Sequence, residues 1–254
     1  MPAPTAEPVP AWGHRHRIRV GVLGGSFNPA HAGHLHIARL ALQRLRLDQL
    51  WLLVSPGNPL KEASGMAPFR DRMASARGIA DGRRILATGI EARLHTRYTF
   101  DTLQALRRRF PRVRFVWVMG ADNLVQLPKW QRWKGIARAM PFAVLPRPTY
   151  NHRALAGQAA QRLRPALRPA RSAPALASRA APAWTFLPAR QNALSATALR
   201  TGTAPHEGCN AFPLLQWPPV PHTMPDTPSA GQGARHGPAQ HGPKRTPTIE
   251  GPRT

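Results

Sequence analysis

From Arg17 to Pro148, short apolar runs alternate with longer stretches in which apolar positions recur every three or four residues. The short runs, Ile18–Leu23, Leu50–Val54, Arg84–Thr88, Val113–Met119 and Phe142–Leu145, read as buried strands. The longer ones read as helices. His34 to Leu47 puts Leu35, Ala38, Leu42 and Leu45 on one face, and Phe69–Ile79, Thr99–Phe110 and Gln131–Ala139 repeat the pattern. Strand and helix in strict alternation predict an α/β chain, a doubly wound parallel sheet with helices on both faces. Trp184-Thr185-Phe186-Leu187 adds one more short strand, giving five to six in all.

The pattern weakens at both ends. Residues 151–182 are rich in Ala, Arg and Pro, and Pro165, Pro169, Pro174 and Pro182 interrupt any helix longer than about two turns. Residues 201–254 hold 11 Pro and 7 Gly, so a third of them break regular structure and a disordered tail is expected. The proline-bearing opening, residues 1–16, is expected to be a disordered extension, which leaves 17–200 as the folded domain. No apolar run approaches the roughly 18 residues of a membrane span, and the opening lacks the apolar core of a secretory signal. A soluble, cytoplasmic protein is expected. The single cysteine, Cys209, excludes an internal disulfide framework and a cysteine-based zinc site.

The formal net charge of +25, from 36 Lys and Arg against 11 Asp and Glu, at first suggests a polyanionic partner. Its location tempers that idea. Residues 18–150 carry 22 basic and 7 acidic side chains, whereas the tail carries 4 and 3, and 32 of the 36 cations are arginine. A solvated basic surface on the folded domain accounts for this, and a nucleic-acid partner is not expected.

The stretch that carries chemistry is Gly24-Gly25-Ser26-Phe27-Asn28-Pro29-Ala30-His31-Ala32-Gly33-His34, after the first strand and before the first helix. Two glycines let a backbone approach a ligand where a Cβ would collide, and a helix start offers free N–H groups to an anion. His31 and His34, three residues apart, can face one side of that first turn and donate to phosphate oxygens. In an open α/β sheet the carboxyl end of the first strand is where ligands bind. Neither a Gly-x-x-x-x-Gly-Lys-Ser/Thr loop nor a Gly-x-Gly-x-x-Gly fingerprint is present, and no carboxylate follows His31 as in His-Glu-x-x-His, so a metal site at these histidines is not expected.

This run resembles the first motif of the nucleotidyltransferase superfamily that carries T/HxGH, and Leu194-Ser195-Ala196-Thr197-Ala198-Leu199-Arg200 is similar to its second, Ile-Ser-x-Thr/Ser-x-Ile-Arg. Within the superfamily the interior resembles the bacterial nicotinate-nucleotide adenylyltransferases. Three segments carry that likeness: Asn58-Pro59-Leu60-Lys61, Glu91 through Arg97-Tyr98-Thr99-Phe100-Asp101-Thr102-Leu103, and Trp117-Val118-Met119-Gly120-Ala121-Asp122-Asn123-Leu124 with Trp130-Gln131-Arg132-Trp133. The resemblance spans about residues 17–200 and implies a Rossmann-like nucleotidyltransferase fold.

It further implies attack by a mononucleotide phosphate on the α-phosphorus of Mg-ATP with release of pyrophosphate, chemistry that asks for positioning and cations rather than a nucleophile. By this likeness Gly24, Gly25, Ser26, Phe27, Gly120 and Asp122 belong to the ATP site. His31 and His34 hold the triphosphate, with His34 at the α-phosphate. Ser195 and Thr197 grip the β and γ phosphates, and Arg200 reaches over one turn later. Together His31, His34 and Arg200 form the catalytic set. Thr201-Gly202-Thr203-Ala204-Pro205 ends that last helix early, which would loosen its grip. Thr99 and Trp130 meet the acceptor ring, and Lys61 its phosphate. Mg2+ is expected to arrive with ATP, without a metal site in the protein. Asn28 stands where many relatives have aspartate, and either residue can hold the glycine turn through a local Asx turn.

Bland roles stay open beside these: His31 as a structural residue, Asp122 as a cap on the next turn, Trp130 as core, Lys61 as a solvated loop lysine. The expected partners are ATP and nicotinic acid mononucleotide. Alternatives are the same fold acting on nicotinamide mononucleotide or phosphopantetheine, or a non-catalytic basic protein that binds nucleotides or RNA. A homo-oligomer is compatible with the chain, and nothing in the sequence sets the oligomeric state.

Overall fold

The computed structural model describes residues 17–57 and 65–189. Lys61, Ser195, Thr197 and Arg200 lie outside the described residues, as do the expected extension 1–16 and tail 201–254. The chain divides into two units, Met1–His206 and Glu207–Thr254, and every described residue lies in the first.

In chain order the elements are β1 (Arg19–Gly25), α1 (Ala32–Arg44), β2 (Gln49–Val54), α2 (Phe69–Ile79), β3 (Ile85–Thr88), α3 (Ile90–Arg93), α4 (Thr99–Arg109), β4 (Arg114–Gly120), α5 (Ala121–Gln126), α6 (Trp133–Ala139), β5 (Phe142–Leu145), α7 (Asn151–Ala156), α8 (Gln158–Arg162) and β6 (Trp184–Phe186). Short 3-10 turns cover Leu127–Lys129, Arg164–Ala166 and Ala170–Ser178. The prolines at 165 and 174 fall in those turns, which is why residues 151–182 form short pieces. Among the described residues no helix is long and apolar enough to cross a membrane.

All six strands are parallel, in the order β3-β2-β1-β4-β5-β6. The chain runs outward from β1 through β2 and β3, then returns to β4 on the other side of β1. A crevice therefore opens beyond the carboxyl ends of β1 and β4, where the direction of winding reverses.

Period-two alternation sends strand side chains to two separate cores. Val20, Val22, Trp51, Phe115, Trp117, Phe142 and Trp184 pack on one face, and Leu23, Leu50, Leu52, Val116, Val118 and Leu145 on the other. Both faces being covered is the reason these strands read as continuous apolar runs. Gly21 is required by packing, since a Cβ there would lie 2.6 Å from Leu47 Cδ1.

Two boundaries differ from the sequence reading, and both matter for the site. β1 does not stop at Leu23. Gly24 and Gly25 are its last two residues, because β2 extends the ladder through them, in register with Leu53 and Val54, beyond the end of the pairing with β4. Helix α1 begins at Ala32 rather than His34, since His31 itself supplies the cap that starts it.

Candidate active site at the carboxyl edge of the sheet

The turn between β1 and α1 is built around two histidines. His31 is the N-cap of α1, with extended backbone at φ −150° and ψ 172°. Its Nδ1 accepts from the Gly33 amide at 3.1 Å, and His34 Nδ1 accepts from the His31 amide at 3.3 Å. This is a reciprocal capping box assembled from imidazoles in place of hydroxyl and carboxylate. The rings lie 4.0 Å apart at 50°.

The capping box fixes the chemistry of both rings. An Nδ1 that accepts a hydrogen bond carries no proton, so each neutral imidazole bears its hydrogen on Nε2. His31 is buried, and its Nε2 has no hydrogen-bond partner among the described residues. A buried donor without an acceptor, at the edge of a crevice, marks where a ligand oxygen belongs.

Burial pushes the His31 imidazole down to about 4, assisted by the positive charge of Arg147. Burial, the neighbouring His31 and Arg147 push His34 down to about 3. Both histidines are therefore neutral donors near pH 7 in the free protein, which corrects the expectation that the motif supplies cations. Proton uptake would also destroy the Nδ1 acceptors of the cap. An unfolded histidine titrates near 6.5, so as pH falls below that value the unfolded chain binds protons that the folded protein refuses. Stability from these groups is complete above about pH 6.5 and declines as pH drops toward 4 and 3. We expect the melting temperature to fall across that window, and the two imidazoles to titrate below pH 5 when followed by NMR; values near 6.5 for both would contradict the geometry.

Phe27 and Gly25 pack against one another, and Phe27 stands against His34. Phe27 adopts φ 47°, a left-handed conformation costing roughly 1–2 kcal/mol. Its ring is nevertheless 1% exposed and tilts against His34 at 4.9 Å between centroids. It supports the His34 ring from within the core and presents no side-chain surface to a ligand. A Cβ on Gly25 would meet the Phe27 ring at 3.2 Å, so Gly25 makes room for that ring. Gly24, by contrast with Gly25, has open space beside it among the described residues. Asn28 departs from the local turn expected of it. Its Nδ2 donates to the Gly65 carbonyl at 2.9 Å, and its Oδ1 accepts from the Ala67 amide at 3.1 Å, binding the turn to a distant segment.

Across the crevice, Gly120 ends β4 and caps α5, and Asp122 sits in the first turn of that helix. Asp122 Oδ1 faces Arg147 Nε at 3.6 Å. A Cβ on Gly120 would collide with Asp122 Oδ1 and come within 3.2 Å of Arg147 Cγ, so glycine here lets the Asp122 and Arg147 side chains keep these positions. Arg147, two residues beyond β5, was not foreseen from sequence. Its charge reaches both histidines, and the Asn151 side chain holds its backbone by accepting from the Arg147 amide at 2.9 Å.

The residues expected to meet the acceptor lie on neighbouring elements. Thr99 is the first residue of α4. The approach to α4 is anchored by Thr102 Oγ1, 3.0 Å from Glu91 Oε1 and 2.9 Å from Thr96 Oγ1. Glu91 is buried, and burial raises its pKa against hydrogen bonds from Thr102 and Ser55. Trp130 follows the turn Leu127–Lys129 and leans on Trp117 at 5.7 Å, its buried Nε1 without a partner among the described residues. One face of its indole is thus committed to the core. The start of α4 and the segment around Arg132 meet, since Phe100 packs against Gly135 and the Arg132 guanidinium lies 5.5 Å from the Phe100 ring centre.

Among the described residues, the winding reversal thus brings together two neutral imidazoles, the Arg147 guanidinium and open backbone at Gly24, an arrangement that could accept phosphate oxygens. The cytidylyltransferase-like family model matches residues 22–202. Among curated proteins, the chain is 63% identical over 183 residues to a probable nicotinate-nucleotide adenylyltransferase of Gluconobacter oxydans, covering 72% of this chain and 94% of that protein. It is 60% identical over 192 residues to the protein of the same description from Gluconacetobacter diazotrophicus, covering 76% and 89%. Among solved structures, the Plasmodium falciparum nicotinic acid mononucleotide adenylyltransferase complexed with APC aligns with a TM-score of 0.53 at 14% identity, covering 72% of this chain and 83% of that one. That last likeness concerns the fold alone.

Proposed function

Because the chain belongs to the cytidylyltransferase-like family and, within it, to the nicotinate-nucleotide adenylyltransferases, we propose that it transfers AMP from ATP to nicotinic acid mononucleotide. The products are nicotinic acid adenine dinucleotide, a precursor in NAD biosynthesis, and pyrophosphate. A phosphate oxygen of the mononucleotide attacks the α-phosphorus of ATP. The bond to pyrophosphate breaks as the new bond forms, and no group of the protein becomes covalently attached.

The observation that carries this reading is the imidazole pair whose Nδ1 atoms are occupied by the cap, leaving two Nε2–H donors at the winding reversal. Donors held in place before substrate arrives stabilise charge building on phosphate oxygens without reorganising. We assign His34 to the α-phosphate and His31 to the triphosphate beside it. Arg147 supplies the full positive charge, and Asp122 orients it. Thr99 and Trp130 face the acceptor ring, the unpartnered indole N–H being a donor for it. Lys61 is assigned to the acceptor phosphate, and Ser195, Thr197 and Arg200 to the β and γ phosphates, on the motif alone.

Enzymes of this kind generally use a divalent metal with ATP. Among the described residues no group of three His, Cys, Asp or Glu could hold such an ion. The crevice, with two imidazole donors and a guanidinium against one carboxylate, suits phosphate oxygens better than a cation. Mg2+ is proposed to arrive bound to the triphosphate, where it would supply charge neutralisation for the phosphate oxygens. Both substrates are highly charged and do not cross membranes unaided, which supports a cytoplasmic site of action.

Pyrophosphate release from ATP, measured with each acceptor in turn, tests the reading. Turnover with the acid mononucleotide should exceed that with the amide by at least about tenfold, since a site built to pair a ligand's polar group rejects an analogue lacking it. Equal turnover would reject the acceptor assignment. No turnover with any acceptor would favour a nucleotide- or RNA-binding protein instead.

A further inference from the structure

The glycine turn owes its shape to residues behind it, on α2. Arg72 is 3% exposed, and its guanidinium donates to four backbone carbonyls. Nη1 reaches Ser26 O at 2.8 Å and Ser55 O at 2.6 Å, Nη2 reaches Pro56 O at 3.0 Å, and Nε reaches Ala67 O at 3.0 Å. These carbonyls belong to three separate segments, and none of the acceptors is a carboxylate. One helical turn later Ser75 Oγ accepts from the Ala30 amide at 2.8 Å. Arg72 and Ser75 thus hold opposite ends of the turn Ser26–Ala30, while Asn28 in its middle grips Gly65 and Ala67.

The segments joined to the turn are those that flank residues 58–64. Ser55 and Pro56 lead into Asn58-Pro59-Leu60-Lys61, and Ala67 leads out of that stretch into α2. A buried guanidinium is costly unless its N–H groups are satisfied, and here four of its five N–H groups are taken up by backbone carbonyls of three segments. Buried and committed in this way, the group is suited to holding backbone in place.

From this geometry we infer that Arg72 is a positioning residue, which holds the triphosphate turn Ser26–Ala30 in place against the end of β2 and the start of α2. The inference rests on the adenylyl-transfer reading above. In-line transfer requires the attacking oxygen within about 3–3.5 Å of phosphorus, and a misplacement of about 1 Å costs on the order of 100-fold. The planar fork of arginine can span three segments, whereas a lysine ammonium presents its donors at a single point.

The test is the steady-state kinetics of Arg72→Lys in the full chain, which keeps the charge and the apolar stem. We expect kcat to fall roughly 30- to 100-fold, with KM for ATP and for the mononucleotide each within about threefold of wild type. A merely structural arginine would lower the melting temperature and leave kcat of the folded protein unchanged. A kcat within threefold of wild type, or a loss confined to one KM, overturns the inference. Should the lysine variant not fold, Ser75→Ala carries the test: releasing the other end of the turn should lower kcat about five- to tenfold at unchanged KM values, and an unchanged kcat overturns the inference. A wild-type enzyme inactive with every acceptor overturns this inference together with the function it rests on. An active wild type with an indifferent Arg72→Lys overturns the positioning role alone.

Discussion

Replacing His34 with alanine is expected to lower kcat by roughly 100- to 1,000-fold, the usual effect of deleting one donor aimed at developing oxyanion charge. The expectation rests on the Nε2–H left to His34 once its Nδ1 has accepted the His31 amide. The same substitution removes half of the capping box, and that loss costs about 1 kcal/mol of stability. The two effects are separable. Glutamine at the third helical position can reach back to the N-cap amide as the imidazole does, so His34→Gln should recover the melting temperature without recovering the rate. A His34→Ala enzyme that turns over at near wild-type speed would show that the α-phosphate is stabilised elsewhere.

Arg147→Ala should be nearly as damaging, by a different route. Arg147 is the cation whose field reaches both imidazoles, and it stands 3.6 Å from Asp122. A hydrogen bond to a charged group contributes about 1.5–3 kcal/mol, which corresponds to roughly 10- to 100-fold in kcat/KM for ATP. Losing the arginine also leaves Asp122 facing the triphosphate with its charge uncompensated, which adds to the loss. A second readout is independent of turnover. Since the Arg147 charge helps depress both histidines, their titration midpoints in the free enzyme should rise in Arg147→Ala and return in Arg147→Lys. Unchanged midpoints together with unchanged kcat/KM would remove Arg147 from the site.

The two experiments bear on one electrostatic design. Among the described residues, two imidazoles kept neutral by burial stand near the Arg147 guanidinium, which avoids the mutual repulsion that three buried cations would suffer. Most of the +25 charge stands elsewhere, on arginines spread over the helices and strand ends, and the catalytic argument uses few of them.

How far the chain announces this design differs from residue to residue. The strands were readable because burial on both faces turns each into a short apolar run, and the observed strand limits lie within two residues of those runs. The histidine pair was readable because glycine, proline and a helix start lie next to one another in the sequence. Arg72 was not, because a lone arginine among Arg70 and Arg77 on an amphipathic helix looks like one more solvated cation. Arg147 was not, because Pro146-Arg147-Pro148 resembles any loop, and only the sheet brings it to His31 and His34. The partners of Asn28 lie 37 and 39 residues along the chain, beyond the reach of any local pattern.

Local periodicity and nearest-neighbour chemistry were thus enough to specify the alternating α/β architecture and the residues that stand at the first strand's end. The charge state of those residues was settled by tertiary structure. Burial and the approach of Arg147 make the histidines neutral, the cap chooses their tautomer, and Arg72 and Asn28 hold the turn against loops distant in sequence. These are effects of dielectric and of distance through space, and a linear pattern of residue types carries neither.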